Sequence, residues 1–417
     1  MSTAAPLTVE LRHWRNAVFV IFGLSGVLLS SFAARLPAVR DALHADAGQI
    51  GLLIICISLG AILGLIVAPP AAHLLGSRGG MGAALVVGAA GLTLAGLGAT
   101  AISNSAVTVV GLGMLGLGNG AVDVMMNVSG AAAERRIGRT LMPFMHACFS
   151  IGTVAGALIG AGATALGIPT WLHLAVVAAF IAVTAVTAAR FVPADVPVQD
   201  AATFEPVLAR IGRAALERLT VWRDLTLVLI GVVMLGMALA EGAANDWIAL
   251  ASIDGHGDSE AQGALVLDVF MVAMTLGRIA GGPVVDRIGR VATLRITAGL
   301  GVAGLVLFIF GGHPALYVAG VVLWGLGASL GFPLGMSAAA DDERNATKRV
   351  AAVAMIGYLA FLGGPPFIGF LADHVGILHA LLAVLVLVAA SFLCAPALRH
   401  RSYAASVLAA PNATEQG

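Results

Sequence analysis

The chain has 417 residues, of which 59% are hydrophobic and 11% charged, and its 22 Lys and Arg balance 22 Asp and Glu. A soluble globular domain carries about one-quarter charged residues, so this composition excludes a water-soluble fold, and zero net charge gives no argument for a nucleic-acid partner. Apolar runs of about 20 residues recur along the whole length; lipid offers the backbone no hydrogen-bond partners, so each run must close its own bonds as a helix.

Breaks at charges and at Gly or Pro clusters define twelve expected spans, near 17–37, 47–70, 80–101, 105–132, 142–167, 169–191, 225–250, 262–285, 291–312, 315–338, 348–372 and 376–395. The first run follows Arg12 and Arg15 as a signal peptide would, but it continues into FAARLPAVR without a small-residue cleavage site and reads as a retained helix. Arg35 at its outer end is expected to snorkel, with a solute carboxylate as the other reading. Cys56, Cys148 and Cys394 lie in apolar runs without metal-ligand spacing; they read as packing residues, and no metal or cofactor is expected.

The fourth run contains GNGAVDVMMNVSG, residues 118–130, with one aspartate among small residues, valines and methionines. Asp123 lies eleven residues before Glu134. At 1.5 Å per residue that is about 16 Å into a hydrocarbon core about 30 Å thick. An ionised carboxylate is costly there, so the group is expected to be protonated, paired or facing water, and a carboxyl that loads and releases a proton suits coupling to a proton gradient. The competing reading is a hydrogen bond between two helices. Asn127, one turn on, shares its face and can bond solute hydroxyls or the carboxyl itself. Asn119 in the same run is a further solute-binding candidate. His146, two turns into the fifth run, is a candidate proton shuttle or a satisfied hydrogen-bonding residue.

The long connection 192–224 is polar and partly amphipathic and divides the spans six and six. It sets the expected organisation: a bundle over 1–191, a linker over 192–224 and a second bundle with a short tail over 225–417. In the seventh run Glu241 is a proton-coupling candidate; Asn245, on its face, and Trp247 are solute-binding candidates, Trp247 fitting an interfacial aromatic belt first and a stacking surface for a sugar ring second. Asp268 in the eighth run is a candidate partner for Arg278, although ten residues is too far for direct neighbours on one helix. Tyr358 is a solute-binding candidate, and the GGPPFIG that follows it suggests a broken eleventh helix, or else tight packing.

With twelve spans, twenty of the 22 Lys and Arg fall on the side of both termini and only Arg35 and Arg40 on the other, which makes the termini and linker cytoplasmic. The halves also repeat. LGLG at 115–118 and WGLG at 324–327 are 209 apart, Gly160 maps onto Gly369 at the same offset, and Gly76 and Gly289 are 213 apart. Such a repeat favours two similar bundles facing each other across a cavity.

The eighth run leaves the membrane at GGPVVDRIGR, residues 281–290. Gly282 permits close helix approach, Asp286 can accept from a helix N-terminus or pair with an arginine, and Arg287 and Arg290 suit the anionic inner leaflet. The spacing of Gly282, Asp286, Arg287, Gly289 and Arg290 resembles the loop signature of the major facilitator superfamily, G-x-x-x-D-R-x-G-R. The resemblance extends over essentially the whole chain. It implies an all-α membrane protein of 12 transmembrane helices in two six-helix bundles related by a pseudo-twofold axis, in a bacterial inner (plasma) membrane, with the loop acting as a gate. The first-half copy departs from the pattern, with Pro69 where the glycine and His73 where the aspartate would stand.

GLGNGAVDVMMN followed by MHACFSIG is similar to the fourth and fifth helices of the fucose permease-like branch. That resemblance puts Asp123 at the position of a proton-linked glutamate and Asn127 at that of an asparagine. It implies a secondary transporter of a small solute, a sugar among the candidates, by proton symport and alternating access, with proton-coupled export of drugs or metabolites as the alternative. The expected partners are the solute, protons and the lipid bilayer, and the expected state is a monomer. No nucleophile elbow, phosphate loop or metal spacing argues for an enzyme.

Overall fold

In a computed structural model, residues 8–45, 47–194 and 223–399 are described. The linker expected over 192–224 lies largely outside them, as does the tail beyond Arg399. The chain forms α1 (Val9–Ala33), α2 (Leu36–Leu43), α3 (Ala47–Thr100), α4 (Ser105–Ile137), α5 (Met142–Ala165) and α6 (Thr170–Ala189). After the linker come α7 (Leu225–His256), α8 (Glu260–Phe310), α9 (Pro314–Ala328), α10 (Gly331–Ala339), α11 (Ala346–Val375), α12 (Ile377–Ala380), α13 (Leu382–Cys394) and a 3-10 turn at Ala395–Leu398. Local signals place several ends. Asn104 accepts from the Ala106 and Val107 amides to start α4, Gly138 in the left-handed region ends it, and Ser259 with Gln262 forms a capping box on α8.

Among the described residues, ten helical stretches are long and apolar enough to cross a membrane. Two of them, Ile55–Thr100 and Leu265–Phe310, have 46 residues each. At 1.5 Å per residue each is about 69 Å long, twice the hydrocarbon thickness. Each is two spans joined at one glycine outside helical geometry: Gly76 (φ 67°, ψ 170°) and Gly289 (φ 80°, ψ 162°). Only glycine adopts that backbone readily. With these divided, the helices are consistent with the twelve expected spans. Exposed Leu, Val, Ile and Phe side chains along α3, α5, α6 and α8 form the lipid-facing surface.

The repeat is visible in the packing. A Cβ on Gly116 would strike the backbone of Ile57 and Ala61; on Gly325 it would strike the backbone of Phe270 and Met274. Gly118 lies against Ala84 and Gly88, and Gly327 against Thr297 and Gly301. Gly111 lies against Gly91 and Ala95, and Gly320 against Gly304 and Phe308. Every pair keeps the offsets 209 and 213, so the fourth span packs on the second and third as the tenth packs on the eighth and ninth. Small residues at these crossings let helices approach closely where lipid supplies no hydrophobic drive.

Several expectations need correction. Helix α11 is continuous through Pro365 and Pro366 and does not break at GGPPFIG. The break falls in the tenth span, between α9 and α10. Pro333, in the first turn of α10, has no N–H to return to the Ser329 carbonyl four residues back. That carbonyl instead accepts from Arg278 Nε at 3.3 Å. Asp268 does not pair with Arg278: ten residues along one helix is about 15 Å and nearly three turns. Asp268 is exposed and Arg278 buried. Nor does Arg35 snorkel. It is 5% exposed and bonds to Thr164, Thr170 and the Ile168 carbonyl.

Candidate solute and proton site

The fourth span is continuously buried from Gly118 to Glu134, where it lies between its own bundle and the second half. Its polar residues Asn119, Asp123 and Asn127 recur every four positions and so share one stripe. Asn127 Nδ2 donates to Asp123 Oδ1 at 3.1 Å and to the Asp123 carbonyl at 2.8 Å. Asn127 Oδ1 lies 3.2 Å from His146 Nε2 on α5. The amide nitrogen must donate to the carboxyl, so its oxygen accepts and His146 Nε2 carries the hydrogen. Asp123 is 8% exposed, and its Oδ2 has no partner among the described residues.

Two contacts join this stripe to the second half. Asn119 Nδ2 donates to the Tyr358 hydroxyl of α11 at 3.3 Å, while Asn119 Oδ1 accepts from Ser25 of α1 at 2.6 Å. His146 sits edge-on between Phe22 of α1 and Phe332 of α10, at centroid distances of 5.1 and 5.5 Å. Phe332 stands 209 residues after Asp123, so the repeat sets an aromatic ring where the first half has its acid.

A second polar cluster lies beside the first. Arg278 of α8 is 4% exposed and donates from Nη2 to Glu241 of α7 and from Nη1 to Ser150 of α5, both at 2.8 Å. Ser150 donates to the His146 carbonyl at 3.2 Å. The side-chain bonds thus form two segments, Asp123–Asn127–His146 and Ser150–Arg278–Glu241, that meet at the main-chain carbonyl of His146, and the second crosses between the halves at Ser150. Glu241 carries an arginine counter-ion; among the described residues Asp123 has none.

The remaining candidates lie apart from these segments. Asn245, one turn from Glu241, is exposed. Trp247 packs against Gly369 of α11 within the second half, neither in an open belt nor on the stripe around Asp123.

At the arginine-rich face the gating-loop residues meet the first half directly. Asp286 accepts from the Thr140 amide at 2.8 Å, and Gly282 lies under the Thr140 carbonyl, where a Cβ would come within 2.6 Å. Arg290 donates to both oxygens of Asp341, at 3.0 and 2.8 Å, and to Ser337 at 2.8 Å. Arg287 is exposed. Glu134, at the end of α4, accepts from the Leu141 and Met142 amides with Oε2 and from Ser337 with Oε1, and lies 3.5 Å from Arg290. Arg135 adds bonds to Glu343 and the Ala340 carbonyl. The halves are drawn together at this face. Among the described residues its first-half counterpart shows no such reach: His73 is exposed, and Arg78 bonds the Val192 carbonyl of its own half.

Sequence reading passed over Ser150, Glu134 and Ser337, because a serine or a helix-end glutamate carries no signal until its partner is known. Arg278 was visible as a charge within an apolar run, but its partner lies on another helix.

Twelve spans, the repeat and the loop contacts agree with the family comparison: the Major Facilitator Superfamily profile matches residues 18–342 and 242–415. The chain belongs to the Major Facilitator Superfamily. It is similar to an uncharacterized transporter, y4wD, of Sinorhizobium fredii (strain NBRC 101917 / NGR234), with 32% identity over 386 residues, 90% of this chain and 97% of the relative. Its fold is similar to that of FucP, a superfamily transporter solved in the outward conformation, with a TM-score of 0.75 at 18% identity over 93% of this chain and 99% of that one. A second FucP structure, the E. coli fucose:proton symporter, gives 0.74 at 18% identity over 93% and 98%. This Major Facilitator Superfamily member is thus a multi-pass membrane transporter.

Proposed function

We propose that the protein is a proton-coupled symporter carrying a small hydroxylated solute inward across a bacterial inner membrane, with both termini cytoplasmic. The observation that carries this reading is Asp123, buried in mid-span with one carboxyl oxygen held by Asn127 and the other without a partner among the described residues. A carboxyl so placed takes up a proton or a hydrogen-bonding solute instead of staying ionised in a dry site. The surrounding amides, phenol and hydroxyls suit hydroxyl recognition, and the likeness in fold to the fucose:proton symporter noted above supports the sugar class. His146, one amide away, is the second seat for the proton. Glu241 serves as counter-ion to Arg278.

The orientation rests on the Lys and Arg asymmetry, which is nineteen to two once Arg278, buried within the bundle, is set aside from the twenty. In that orientation the halves are closed on the cytoplasmic side, and the solute enters from the opposite one. Alternating access then requires the bonds at Ser150, Thr140, Glu134 and Arg135 to break together.

The test uses proteoliposomes with a trapped pH dye and a panel of sugars and polyols. The expected result is that one class drives proton entry in wild type, and that Asp123→Asn abolishes proton entry and accumulation while leaving counterflow exchange of the same solute. Undiminished accumulation by Asp123→Asn would sink the reading. Raised drug resistance on expression, with no solute-driven proton entry, would favour export.

A further inference from the structure

We propose that Arg35, Thr170 and His173 form a binding site for a small inorganic monoanion of the size and charge of chloride, enclosed in the first half at the end away from the arginine-rich face. The site lies apart from the Asp123 stripe and does not depend on the transport reading. Arg35 ends α1 and reaches the α5–α6 connection. Nε and Nη2 donate to the Thr170 hydroxyl at 3.1 and 2.7 Å, Nη2 to the Ile168 carbonyl at 2.8 Å, and Nη1 to Thr164 at 2.7 Å. Four of five N–H groups are used, all on neutral oxygens, and Arg35 pairs with no carboxylate among the described residues. A guanidinium only 5% exposed without a counter-ion is costly.

The donors around it outnumber the acceptors. Thr164 spends its hydrogen on the Gly160 carbonyl at 3.0 Å. Thr170 accepts twice from Arg35 and keeps its own hydrogen. His173 is 5% exposed, and both its ring nitrogens lack a partner among the described residues, although a neutral imidazole always carries one N–H. Thr170 and His173 are three apart on α6 and share a face, and His173 is within electrostatic reach of Arg35. This is also the first turn of α6, whose N-cap is Pro169 and gives no side-chain cap to the first amides. A buried cation, a spare guanidinium N–H, a spare hydroxyl, an imidazole N–H and a helix N-terminus all ask for one negative charge.

The experiment is thermal unfolding of the purified protein as chloride replaces gluconate at constant ionic strength and pH, for wild type, Thr170→Val and His173→Phe. Bromide is located by its anomalous signal in wild-type crystals. Saturable stabilisation by chloride, with the midpoint concentration raised at least tenfold in both variants, is the expected result, together with bromide beside Arg35. Identical curves in chloride and gluconate would overturn the proposal, as would a chloride effect unchanged in both variants or stronger stabilisation by acetate. If a variant does not fold, the bromide position decides: density only elsewhere overturns the site.

Discussion

Arg278 Nη1 donates to Ser150 Oγ across the boundary between the halves, while Nη2 of the same guanidinium holds Glu241 within its own half. At the offset of 213 that relates the second span to the eighth, Leu65 stands where the second half has Arg278, so only one half carries a buried cation at this position. Side-chain exposures of 4% and 15% mean that neither charge is well solvated. Removing one partner leaves the other uncompensated, at a cost of about 3–5 kcal/mol. Arg278→Gln and Glu241→Gln are each expected to lower the unfolding temperature sharply, and the double variant to recover part of the loss. Thermal melts of the four proteins, treated as a double-mutant cycle, check this. Additive losses would show that the pair does not act as a unit.

Glu134 ties the two halves at the arginine-rich face because its two oxygens point opposite ways, one to the Leu141 and Met142 amides and one to Ser337. An amide keeps only one of those acceptors. Glu134→Gln is therefore expected to favour opening at that face, with the open fraction rising about tenfold for a lost charge-assisted bond. Spin labels at Arg139→Cys and Arg344→Cys, in a background without Cys56, Cys148 and Cys394, report the distance between the halves. Unchanged distance distributions would remove Glu134 from the closure.

Gly289 and Gly138 both have positive φ and open space where a Cβ would go, but their ψ values of 162° and 26° differ in kind. The second is the ordinary left-handed cap, costing an alanine about 1 kcal/mol; the first is nearly glycine-only and costs toward about 3 kcal/mol. Gly289→Ala should lower the unfolding temperature more than Gly138→Ala. Equal shifts would mean that the loop between the eighth and ninth spans relaxes.

Gly116 faces the backbone of Ile57, whereas Gly113, one turn earlier, has no atom within 4 Å of its Cβ position. Alanine at 116 must push two helices apart, and at 113 it meets lipid or solvent. Yield of monodisperse protein after size-exclusion chromatography is expected to collapse for Gly116→Ala and to stay near wild type for Gly113→Ala.

Composition and hydropathy determined the membrane class, the approximate spans and the six-plus-six division, because lipid leaves the backbone no option but helices of a set length. The loop signature and the offsets of 209 and 213 were equally legible, since a repeated scaffold keeps its glycines wherever helices touch. What the sequence could not decide was partnership. Arg278 might have sought any acid; the broken tenth span and the crossing of α5 with α8 brought it Glu241, Ser150 and the Ser329 carbonyl. The bend expected at GGPPFIG fell instead at Pro333, because consecutive prolines within one helix still leave its φ and ψ helical, while the freed Ser329 carbonyl had an arginine to receive it. Arg35 looked like a snorkelling anchor until the α5–α6 connection closed over it. Which side chains meet across helices depends on rotation and tilt set by the whole bundle, and no local pattern records those.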